Sequence, residues 1–110
     1  MYRQMADAIP AAYQPKLALS LNNLAIRLSN VGLKRQAVAA AREAVALWRQ
    51  LAETNQHAYQ PHLASALNTL ASKLMQTGHK ITALRCMKES TEIRRQLTAD
   101  GVSARKGAEL

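Results

Sequence analysis

LNNLAIRL at residues 21–28 returns 46 residues later as LNTLASKL at residues 67–74, and the reading of this pair decides the fold. The same shift carries Tyr13-Gln14-Pro15 onto Tyr59-Gln60-Pro61, Gly32 onto Gly78, Ala37 onto Ala83, Glu43 onto Glu89 and Arg49-Gln50-Leu51 onto Arg95-Gln96-Leu97. From Ala12 to Leu51 it gives 18 identities in 40 positions without a gap, which only an internal duplication explains. A fixed period of this size marks an array of stacked units. The register also runs backwards, since Tyr2-Arg3-Gln4-Met5-Ala6-Asp7 lies over Trp48-Arg49-Gln50-Leu51-Ala52-Glu53. The chain therefore reads as the tail of one unit (1–9), two units (10–55 and 56–100) and a C-terminal tail (101–110) that is expected to fray.

Inside each unit the apolar spacing is helical. Leu17, Leu21, Leu24, Leu28 and Val31 recur at steps of three and four, as do Leu63, Leu67, Leu70 and Leu74, which gives one apolar stripe per helix. Pro15 and Pro61 are placed at or near the first turns, and Gly32 and Gly78 where a left-handed residue ends a helix. A second helix is expected from about Lys34 to Glu53, with its copy from about Lys80 to Ala99. Short loops within units and spacers of about seven residues between them predict antiparallel helix hairpins. Composition agrees: aromatics are 4%, Phe is absent, and the core must come from Leu and Ala, which favour helix over strand.

Leu21-x-x-Leu24-Ala25-x-x-Leu28, Gly32 and Ala37-x-x-x-Ala41-x-x-Ala44, with the second copy of the pattern, resemble the tetratricopeptide repeat. The unit of 46 is longer than the usual 34 and has Leu and Ala where aromatics are common, so it looks like the long-helix variety seen in bacterial arrays and kinesin light chains. The resemblance implies an all-α, alpha-alpha superhelix of antiparallel hairpins, a solenoid whose first helices line a peptide-binding groove. On that basis the groove residues are Leu19, Asn22, Ile26, Ser29 and Asn30 in one unit, and Ser65, Asn68, Ser72, Met75 and Gln76 in the next. Asn22 and Asn68 stand out because an amide side chain both donates and accepts, and so can hold the backbone of an extended peptide. The alternative reading has both tying adjacent helices together. Trp48, Tyr13 and Tyr59 recur in register and read as packing residues.

The formal charge of +8 admits nucleic acid, anionic lipid or an acidic peptide as partner. Arg3/Arg49/Arg95, Arg27/Lys73, Lys34/Lys80 and Arg42/Lys88 repeat with the period, but they fall on second helices or helix edges, and no stacking aromatics or base-reading motif accompany them. A solvated outer face is the expected role, and nucleic acid a minor alternative. His57 and His62 are five apart around a proline, and Cys86 has no thiol partner. Neither a metal site nor any other cofactor is expected. No phosphate loop, nucleophile elbow or paired carboxylates occur, so enzymatic activity is not expected.

No apolar run approaches the ~20 residues that cross a bilayer, and Met1–Pro10 does not read as a secretory signal. A lone cysteine fits a reducing compartment, which makes the cytoplasm the expected location. Because about three units are normally needed to bury a continuous core, two units and a tail predict either a piece of a longer array or a homo-oligomer through exposed ends. The expected partner is a protein or peptide.

Overall fold

The computed structural model describes the backbone of residues 13–109 and the side chains of residues 13–99. Four helices follow one another: α1 (Gln14–Asn30), α2 (Lys34–Thr54), α3 (Gln56–Gln76) and α4 (Lys80–Glu109). Each packs on the next, and α1 also touches α3 directly. The all-α hairpin repeat expected from the sequence is the architecture found, and the described residues contain no strand. The tail of the truncated unit, with Tyr2 and Arg3, lies outside the described residues.

Both hairpins turn by the same device. At the end of α1, Gly32 adopts φ +85°, its N–H donates to the Ser29 carbonyl at 3.1 Å, and Leu33 N–H donates to the Leu28 carbonyl at 2.9 Å. Gly78 repeats this at φ +84°, with His79 N–H donating to the Leu74 carbonyl at 2.9 Å. This paired bonding satisfies carbonyls that the helix end leaves open, and it needs one left-handed residue. A Cβ added to Gly32 would meet no atom within 4 Å, so Gly32→Ala isolates the backbone cost. That variant should lose about 1–2 kcal/mol, measured by denaturant unfolding, with the helical signal of the folded state unchanged.

Small residues set the helix spacing. Ala18, Ala25, Ala37, Ala41 and Ala44 are fully sealed from solvent, while Leu21, Leu67 and Leu74 fill the space between the closely approaching backbones. Trp48 is 2% exposed. Its indole stacks on the ring of His62, with centroids 4.6 Å apart, and lies 6.0 Å from Tyr59, so one side chain of α2 anchors the start of α3. In the second unit the counterpart is Arg94, which is exposed.

Three expectations are corrected. The spacer of about seven residues does not exist, because only Asn55 lies outside helix between α2 and α3. Its side chain accepts the Ala58 N–H at 3.2 Å, a cap strong enough to start α3 well before the proline. Pro61 consequently sits inside the helix rather than at its first turn, while Tyr59 is a half-buried helical residue that packs against the core, as its recurrence suggested. The missing Pro61 N–H leaves only one intrahelical bond unmade. Finally, α4 does not end near Ala99 but continues to Glu109. The stretch after Gly101 contains Ala104, Arg105, Lys106, Ala108 and Glu109, mostly good helix formers, with no proline to stop it.

Candidate protein-interaction surface

The groove residues expected from the sequence all lie on α1 and α3, the two helices that meet along one side of the molecule, but their settings differ. Asn68, Ser72, Met75 and Gln76 join Ala71 and Met87 of α4 around an open cleft of about 430 Å³. The lining mixes two thioethers with amides and a hydroxyl, and carries no formal charge. Met75 and Met87 are each nearly half exposed, which offers an adaptable apolar contact. Asn68 supplies a donor and an acceptor beside it.

In the first unit the same positions are partly closed by the second. Ala41, the counterpart of Met87, is buried, and Asn22, the counterpart of Asn68, is half-buried. The Asn22 Oδ1 is sealed from solvent and accepts no hydrogen bond. Ser29 Oγ donates to Gln76 Oε1 at 2.7 Å, tying the C-terminal ends of α1 and α3 together. Leu19, Ile26, Asn30 and Ser65 are exposed on the same two helices, outside the cleft lining.

On the other edge, Arg49 of α2 makes a bidentate ion pair with Glu89 of α4, its two nitrogens donating at 2.5 and 2.7 Å. The hydrogen bond to Glu89 raises the Arg49 pKa, and partial burial opposes the rise. Sequence reasoning placed these charges on a solvated face and missed the pair. Arg49 and Glu89 each recur at the repeat period, but recurrence does not say which positions of neighbouring units meet. Both partners remain more than a third exposed, so the pair contributes at most about 1 kcal/mol, and its main effect is to fix the register of one unit on the next.

Little else in the described residues points to chemistry. Burial, then Glu89, pushes the Cys86 thiol up, against smaller opposing effects from Arg49 and Arg42. A thiol held protonated is a poor nucleophile. Among the described residues no group of three or more His, Cys, Asp or Glu is placed to hold a metal ion, and no helix is long and apolar enough to cross a membrane.

A pair of helical hairpins joined at a shared seam, with an open uncharged cleft on one side, defines a helical-repeat scaffold. Residues 17–58, covering most of α1, all of α2 and the start of α3, match the family model described as Tetratricopeptide repeat, and this unit is a tetratricopeptide repeat. No curated protein and no solved structure matches the chain. Repeats of this family generally mediate protein–protein interaction.

Proposed function

We propose that this chain is a non-enzymatic scaffold that binds a peptide segment of a partner protein along α1 and α3. The cleft at Asn68, Ser72, Met75 and Gln76 is its principal contact. The observation that carries this reading is the lining itself. Amide and hydroxyl groups beside flexible thioethers suit an extended main chain bearing an apolar side chain, and no bound charge has to be matched. Asn22, whose carbonyl oxygen is already enclosed, contributes less than Asn68.

A peptide-display selection against the whole chain tests the proposal. For the selected peptides, Asn68→Ala with Met75→Asp should weaken binding by tenfold or more, measured by calorimetry, while Arg94→Ala on the solvent side leaves it unchanged. Equal affinity for both variants would remove the cleft from the reading.

A second reading, self-assembly through an open end, is favoured by one observation. Ile81 and Leu84 on α4 are largely exposed, whereas Val38, the counterpart of Leu84, packs against the core. Light scattering over a range of concentrations distinguishes a monomer with a free cleft from an assembly that grows with concentration. Binding to nucleic acid through the basic rows is the remaining alternative, and it requires affinity that falls steeply with salt.

A further inference from the structure

The helix α2 carries a second, shorter period of its own. Arg35 and Val38, then Arg42 and Val45, repeat an Arg-x-x-Val pair after seven residues, which is about 10.5 Å along a helix axis. Each pair borders a cleft. Arg35 and Val38 line an open space of about 310 Å³ together with Thr77 and His79. Arg42 and Val45 line one of about 370 Å³, with Arg49, Glu53 and Leu70 among its other walls. Neither shares a residue with the cleft at Asn68. Arg49 is held by Glu89, whereas Arg35 and Arg42 are exposed and make no hydrogen bond or ion pair among the described residues.

Two free guanidinium groups, each one turn from an apolar wall, match a ligand that alternates carboxylates with apolar side chains. We infer that this face of α2 docks an acidic amphipathic helix of a partner protein. Its carboxylates meet Arg35 and Arg42, and its apolar side chains enter the clefts beside Val38 and Val45. A helix stays in step with the row because it too returns to nearly the same direction every seven residues. An extended chain returns to one face every two residues, about 6.8 Å, and falls out of register. A nucleic-acid backbone fits less well. Duplex DNA carries a charge about every 1.7 Å, which would set phosphates against Glu53 in the same cleft and against Glu89 beside Arg49. No aromatic ring is exposed on the described part of α2 or α4 for bases to stack on.

Fluorescence anisotropy with the whole chain tests the inference. The probe is a labelled, alanine-rich helical peptide bearing two Glu seven residues apart, each followed three residues later by Leu. Arg35→Glu with Arg42→Glu should weaken its binding by about tenfold or more, whereas Lys16→Glu with Arg27→Glu, the same change of net charge on α1, should leave it within about twofold. If the reversed pair does not fold by circular dichroism, Arg35→Gln with Arg42→Gln should give a smaller loss in the same direction. Asn68→Ala should leave this binding unchanged, which separates it from capture at the Asn68 cleft. Absence of binding, equal losses from the two charge-reversed pairs, or undiminished binding of a probe with Gln in place of each Glu would overturn the inference. So would tighter binding of a short DNA duplex that is lost in the Arg35→Glu, Arg42→Glu variant, because the row would then be a nucleic-acid surface.

Discussion

Trp48→Ala should cost about 3–5 kcal/mol, the range for removing a buried aromatic, and in a protein this small that is a large part of the total stability. Trp48 is the largest side chain in the seam between the two hairpins. Its loss removes the surface against which Tyr59 and His62 rest. The first hairpin keeps its own alanine contacts, so the expected result is uncoupling of the units as well as a lower midpoint. Denaturant unfolding followed by circular dichroism should show a broadened transition with a reduced m-value. Hydrogen exchange should show the start of α3 losing protection before the middle of α1. A sharp transition with an unchanged midpoint would mean that the indole does not couple the units.

Leu67→Ala is the second large effect, at about 2–5 kcal/mol. Leu67 is completely buried in the middle of α3, a helix packed against α2 on one side and α4 on the other. Collapse of the vacated space would require two interfaces to move together, which places the cost towards the upper part of the range. Leu21, its counterpart, is equally buried, but α1 has one hairpin partner and a limited contact with α3. Leu21→Ala should therefore destabilise less than Leu67→Ala. Equal losses would show that position within the stack does not govern the cost.

The comparison of Leu21 with Leu67 also marks how far the sequence could be read. Whatever depends on one unit alone was legible: the leucine stripes, the alanines that let helices close up, and the two glycines that end the first helices. Whatever depends on the neighbour was not. Asn22 and Asn68 are identical in the pattern, yet one has its oxygen enclosed and the other lines an open cleft, because only the first has a unit stacked beyond it. Pro61 misled for a related reason. A proline suggests a helix start, but the Asn55 cap six residues before Pro61 outranks it, and one missing hydrogen bond near an end does not stop a helix that is buried on two sides. The pair of Arg49 and Glu89 required knowing that α2 and α4 lie within reach of each other, which the period alone does not state.

The joint at Asn55 bears on how a ligand would be met. One extended residue, φ −151° and ψ 90°, is all that separates α2 from α3 outside helix, and it is held by its own side-chain bond while Trp48 and Arg49 fasten the hairpins on either side. Such a joint leaves the two units little independent motion. A peptide laid across α1 and α3 would meet a surface whose shape is set in advance, so less of the binding free energy is spent on ordering the receptor. Lengthening the joint would leave every contact residue in place and still weaken capture, because what it removes is preorganisation.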